Sequence, residues 1–312
     1  MGLFTWPNLL IILGLAAFEL IISVDNAIIN AEVLSGMSKK ARRWFLLWGF
    51  IIAVFAVRGL LPWLIIWVNN PSLGPIGAFT ASFSSNPEIA RIIEESSPVL
   101  LIGGGTFLVF LFFHWLFLEP KHYGLKGEEF IHRQGVWFFA IISVILAIIV
   151  WKAAHINGNM AFGAVIGSTA FFITHGFKEN AEKVEKEMIE GTSSMSDWSK
   201  ILYLEVIDAT FSVDGVLGAF AFTFSIPLIL IGNGIGAFLV RKLTVSNIEN
   251  VKKYKYLKNG AMYSILALGI VMVMHSFGAN IPDWVSPVLT FGIIGFFFWK
   301  SAKELKNRKK RK

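Results

Sequence analysis

Two stretches of the chain carry carboxylates where carboxylates are costly. Glu19-Leu-Ile-Ile-Ser23-Val-Asp25-Asn26 and Asp208-Ala-Thr-Phe-Ser212-Val-Asp214-Gly215 share an acid, three intervening residues, Ser-Val-Asp, and then an amide or a glycine. Both lie inside apolar runs. An acid at the centre of a membrane-spanning helix costs roughly 2.5–3.5 kcal/mol, so Glu19, Asp25, Asp208 and Asp214 together cost on the order of 10 kcal/mol. That rivals the stability of a whole domain, about 5–15 kcal/mol. Such groups should face a protein-lined cavity, and a functional role is their default reading. The plain alternative is a buried ion pair or hydrogen bond between helices, and it weighs most for Glu205, nearer the end of its run.

Spacing suggests the chemistry. Glu19, Ser23 and Asn26 fall at i, i+4 and i+7, so a carboxylate, a hydroxyl and an amide share one helix face. Glu205, Asp208, Ser212 and Gly215 fall at i, i+3, i+7 and i+10 and do the same. Asp25 and Asp214 follow their leading acids by six residues, about 240° of rotation and about 9 Å of rise. They leave the shared face unless the helix bends there, and Asn26 and Gly215 would tolerate a break. An unwound turn would also free backbone carbonyls as ligands. The chain has no cysteine. Its donors are hard oxygens, which suit manganese(II), calcium or magnesium and suit copper(I) or zinc poorly. The charge sum fits one divalent cation as cargo, with protons filling the site after it leaves. No prosthetic group is called for.

The elements that position these groups are membrane helices. Of 312 residues, 55% are apolar and only 16% charged, against about 25% charged in soluble domains. A soluble enzyme, a disordered chain and a nucleic-acid reader are excluded as first readings. Apolar runs near 9–31, 44–68, 98–118, 136–152, 160–177, 199–222, 226–240, 260–277 and 285–300 predict an all-α polytopic bundle of about nine spans, seven to nine given four short ones. No positive n-region precedes the first run, so that span is expected to stay in the mature protein. Lys and Arg gather after spans one, three, five and seven and in the tail, which predicts an outside N-terminus and a cytoplasmic C-terminus, in a bacterial or archaeal plasma membrane. Spans one and six then run oppositely, and their matched motifs read as an inverted-topology repeat. Residues 1–300 form one transmembrane domain, with repeat cores near 9–118 and 199–277. The 69–97 connection holds a short amphipathic piece around Glu88–Glu95. Residues 178–198 read as a charged cytoplasmic helix with a solvated face, and 301–312 as a basic tail. The net charge of +7 points to anionic lipid as partner, with no nucleic acid. A homo-oligomer is left open.

Other polar residues within the spans are weighed singly. Arg58 stays charged and should pair with one of the acids. His114, His175 and His275 read first as hydrogen-bonded core residues, with a proton relay as the sharper alternative, strongest for His175. Gly232-Asn-Gly-Ile-Gly236 resembles a phosphate loop only superficially and reads as close helix packing. No nucleophile–base–orienter set and no His-Glu-x-x-His are present, so the chain is not expected to be an enzyme.

The two acidic segments, with Arg58, resemble the TerC family of integral membrane proteins. That family carries an early Glu-x-x-x-Ser-x-Asp-Asn, matched by Glu19, Ser23, Asp25 and Asn26. Its later Glu-x-x-Asp-x-x-Phe-Ala-x-Asp-Ser is matched by Glu205, Asp208, Phe211 and Asp214, with Ser212 in place of Ala and Gly215 in place of the final Ser. The resemblance implies divalent-cation transport, manganese export above all, a link to tellurium resistance by name, and Glu19, Asp25, Asn26, Asp208 and Asp214 as the metal positions. Ser23, Glu205, Ser212 and Arg58 would support them. The Gly215 departure removes a hydroxyl, and the 69–97 connection and long tail also depart from the family core. The expected activity is export of a divalent cation in exchange for protons or sodium. Its rivals are export of a small organic cation and a membrane scaffold that supports metal delivery to membrane-bound or secreted enzymes.

Overall fold

The computed structural model describes residues 5–49, 51–52, 58–81, 87–246 and 253–311, and the side chains of Asp25 and Arg58 lie outside what it describes. Among the described residues every regular element is helical. The order is α1 (Trp6–Ile22), α2 (Val24–Ser35), α3 (Lys39–Trp44) with a π turn at Phe45–Gly49, α4 (Arg58–Asn69), α5 (Gly74–Ala81), α6 (Pro87–Phe117), α7 (Glu128–His132), α8 (Phe138–Ala154), α9 (Gly158–Ile189), α10 (Asp197–Ala219), α11 (Ile226–Ser246), α12 (Leu257–Ser276) and α13 (Val285–Arg311).

Helix overlies each predicted span, but the count of nine is not reproduced. Among the described residues five helices are long and apolar enough to cross a bilayer, or six if α1 and α2, bent by 54°, form one broken span. The second predicted span, 44–68, lies partly outside the described residues. Helix α10 is not among the five because Glu205, Asp208 and Asp214 interrupt its apolar run. Two connections also differ from expectation. The piece around Glu88–Glu95 is the beginning of α6 rather than a separate helix. The segment after residue 177 continues α9 as far as Ile189, and its face is not all solvated, because Glu185 is buried.

The centre of the bundle is α6, packed between α9 and α12, while α1 lies along α11. Small residues set these approaches, as packing without a hydrophobic drive in lipid requires. Gly232 and Gly236 of α11 rest on Leu15, Ala16 and Glu19 of α1, so the glycine-rich run is a packing face. Peripheral α8 and α13 turn apolar side chains outward. Exposed tryptophans stand on each as well, Trp137 just before α8 and Trp151 near its end, Trp284 just before α13 and Trp299 midway along it. Tryptophan is enriched where membrane meets water. The chain is an integral membrane protein.

The tightest approach gives a test of the fold. A Cβ on Gly167 of α9 would sit 2.0 Å from the backbone carbonyl oxygen of Gly103 on α6, whereas one on Gly176 would meet nothing within 4 Å. Gly167→Ala should destabilise the detergent-solubilised protein by about 1–3 kcal/mol, because a backbone atom cannot rotate aside. Gly176→Ala, on the same helix, should be neutral or gain up to about 1 kcal/mol of helix propensity. Thermal unfolding of the two variants checks the contrast.

Candidate functional site

The break between α1 and α2 falls at Ser23, whose φ of −87° and ψ of 0° interrupt the helix. Ser23 donates through Oγ to Glu19 Oε1 at 2.9 Å, and Glu19 is only 1% exposed. A bend is therefore found in the first motif, three residues before Asn26. The second motif has none, and α10 runs unbroken through Gly215. Gly215 serves contact instead. A Cβ there would lie 3.1 Å from Glu19 Oε2, so a side chain at this position would crowd the carboxylate. The two motifs meet at this point.

Around the meeting point lies a cavity of about 140 Å³. Glu19, Ser23, Asn26 and Asn30 line it from α1 and α2, and Asp208, Ser212, Asp214 and Gly215 line it from α10. Thr174, His175 and Lys178 of α9, Arg241 of α11, and Glu119 and Lys258 complete the polar wall. The space is far below the roughly 300–1,000 Å³ of sites for drug-sized ligands and suits an ion with part of its hydration shell. Ser212 Oγ donates to the Asp208 carbonyl at 2.6 Å, and Asp214 Oδ1 accepts from Gly215 N at 2.9 Å. Among the described residues no three acidic or histidine side chains are close enough together to hold a metal as they stand. The acids would have to close around an ion.

Of the predicted site residues, Glu19, Ser23, Asn26, Asp208, Ser212, Asp214 and His175 are thus brought to one cavity. The Asp25 and Arg58 side chains lie outside the described residues. Glu205 is not on the lining. It is buried behind the wall, against Gly49, with Arg241 Nη2 at 3.7 Å from Oε1. Arg241 Nη1 also donates to the Phe45 carbonyl, and its guanidinium stands 4.5 Å from the centre of the Phe45 ring. The ion-pair alternative describes Glu205, and the cation beside it is Arg241, which the sequence reading counted only as a loop charge.

Several contributors were missed. Asn30 follows Asn26 by four residues and was legible on the same face. Glu119, just past the end of α6, was not. Its carboxylate meets Lys178 Nζ at 3.1 Å, Lys258 Nζ at 2.9 Å and His114 Nδ1 at 3.6 Å. Burial alone would raise the Glu119 carboxyl, but His114, Lys178 and Lys258 outweigh it and hold the group well below the usual carboxylate range. The only signal for this cluster was an acid directly after an apolar run.

The chain is similar to the "Uncharacterized membrane protein YceF" of Bacillus subtilis (strain 168), with 28% identity over 88 residues. That stretch is 28% of this chain and spans about a third, 34%, of the relative's length. No solved structure matches the chain. A family described as "Protein of unknown function (DUF475)" matches residues 24–310, which takes in α2 onward with Asp25, Asn26 and the whole second motif but leaves out α1, Glu19 and Ser23, and the chain belongs to that family.

Proposed function

We propose that the protein is a secondary transporter that exports a divalent cation, manganese(II) before calcium or magnesium, in exchange for protons or sodium. One observation carries the reading. Acids from two sequence-distant, mutually similar motifs, Glu19 on α1 and Asp208 and Asp214 on α10, line a single small cavity inside an integral membrane protein. Hard oxygens of mixed type, carboxylate, hydroxyl and amide, suit such ions. The similarity of both motifs to the TerC pattern supports the same reading, with Asp25 as a further ligand, and the inverted-repeat arrangement of about nine spans belongs to it. Ser38 N donates to Asp197 Oδ2, Glu119 joins Lys178 to Lys258, and Lys300 donates to the Gly124 carbonyl. These contacts link connections predicted to be cytoplasmic, which supports a C-terminus inside.

Flux in proteoliposomes tests the proposal. Manganese(II) trapped on one side should cross when the protein is present, and more readily than magnesium. Equal movement in protein-free vesicles would end the transport reading.

A further inference from the structure

Glu119 stands where the cavity meets solution. On α9, Lys178 comes one helical turn after Thr174, and on α12, Lys258 comes one turn before Met262; all four line the cavity. The two lysines thus reach the same end of it from different helices, and Glu119, two residues past the end of α6, joins them. Its Oε1 accepts from Lys178 Nζ at 3.1 Å, and its Oε2 lies 2.9 Å from Lys258 Nζ. The Glu119 side chain is 16% exposed and the lysines about a third, 31% and 35%. One face of the cluster therefore borders the cavity and the other borders solution. Its base is fixed. Glu128 ties the connection after Glu119 to Asn259 and Tyr263 of α12, and Lys121 donates to the carbonyls of Trp115 and Leu116 at the end of α6. What can move here is the three side chains, not the helices that carry them.

We propose that Glu119, Lys178 and Lys258 form a gate at this end of the cavity, closed while the carboxylate holds both lysines and open when the pairs part. The inference rests on the transport reading above, since a gate needs cargo. Partly exposed ion pairs are weak, because water and salt compete for both partners, so these can part without disturbing the packed helices. The cargo itself supplies a reason to part. A divalent cation arriving at the mouth offers the Glu119 carboxylate a hard, doubly charged partner, whereas each ammonium carries a single charge. The released lysines repel one another and swing to water on their flexible stems. Glu119 is the pivot, because both pairs end on it. Its loss frees two lysines at once, whereas loss of Lys258 leaves the pair with Lys178 in place.

The chain has no cysteine, so one introduced thiol reports access to the cavity. The reporter is Ser212→Cys, in the cavity wall. The probe is a membrane-impermeant quaternary-ammonium methanethiosulfonate, added to sealed vesicles holding the full protein in one orientation or the other. Adding Glu119→Gln should raise the labelling rate about tenfold, mid-range for groups joined in one ion-pair network, and from one orientation only. Lys258→Gln should raise it less, about threefold, and the double variant no more than Glu119→Gln alone. A second reporter, Ser264→Cys, fully buried and off the cavity lining, should stay unlabelled throughout, which separates an open gate from a loosened fold. An unchanged rate in Glu119→Gln, or a rise from both orientations, overturns the gate and leaves transport standing. Absence of manganese movement in the unmodified protein overturns the transport reading and the gate with it. Should Glu119→Gln expose the Ser264 reporter, Lys258→Gln decides, and an unchanged rate there overturns the inference.

Discussion

On the export proposal, Asp208→Asn and Asp214→Asn should each abolish the lowering of cellular manganese expected on overexpression, while leaving stability unchanged or raised. The two halves of this expectation have one cause. Asp208 and Asp214 share the cavity with Glu19, and like charges in a space of about 140 Å³ repel one another when no cation sits between them. Asparagine keeps the shape and one oxygen but removes the charge. The empty protein then loses repulsion and the cost of a charge in the membrane, whereas a divalent ion loses a hard anionic ligand. Disturbing even the groups that orient metal ligands costs about 10–100-fold in affinity, so loss of a ligand itself should cost at least that. Elemental analysis of cells expressing each variant, with thermal unfolding of the purified protein, reads both quantities. Asp283→Asn, on an exposed connection, is the control and should behave as the parent. Parental manganese content in the Asp214→Asn strain would remove the acids from the function.

Much of this site was legible in the sequence because its cost was legible. Acids inside apolar runs announce themselves, and helical spacing alone put Glu19, Ser23 and Asn26 on one face, which the structure brings to the cavity. The six-residue offset of Asp25 allows either a bend or an acid off the shared face, and a bend is present at Ser23. The same arithmetic misled at Gly215. There the glycine relieves a contact with Glu19 rather than a backbone conformation, and a contact between helices has no signature in local spacing. The sequence reads α10 as a span, but its three acids, Glu205, Asp208 and Asp214, keep it out of the helices that length and apolarity alone place across a bilayer among the described residues. Lys178, Lys258 and Arg241 read as topology signals because each stands beside an apolar segment, and Glu119 carried no reading at all. Their pairing with one another or with Glu205 is a tertiary event between distant parts of the chain, and charge alone does not say which acid meets which base.

Glu128→Ala should lower the melting temperature of the solubilised protein by on the order of 10 °C, corresponding to about 3–5 kcal/mol. Glu128 begins α7 in the connection between α6 and α8 and is 2% exposed. Its Oε2 accepts from Gly124 N at 2.6 Å and Asn259 Nδ2 at 3.1 Å, and its Oε1 accepts from Leu125 N at 3.0 Å and the Tyr263 hydroxyl at 3.0 Å. Two backbone donors from the connection and two side-chain donors from α12 thus converge on one carboxylate. Alanine strands all four, and buried donors without acceptors cost the full desolvation penalty. Glutamine is the more discriminating change. Its amide oxygen can replace only one of the two carboxylate oxygens, and its NH2 group must then point at two donors, so Glu128→Gln should lose nearly as much as alanine. A tolerated glutamine would mean that shape, not the carboxylate, holds the connection down. The consequence reaches the cavity, because the same connection begins with Glu119 and α12 begins next to Lys258. Loosening Glu128 should therefore weaken the Glu119–Lys258 contact.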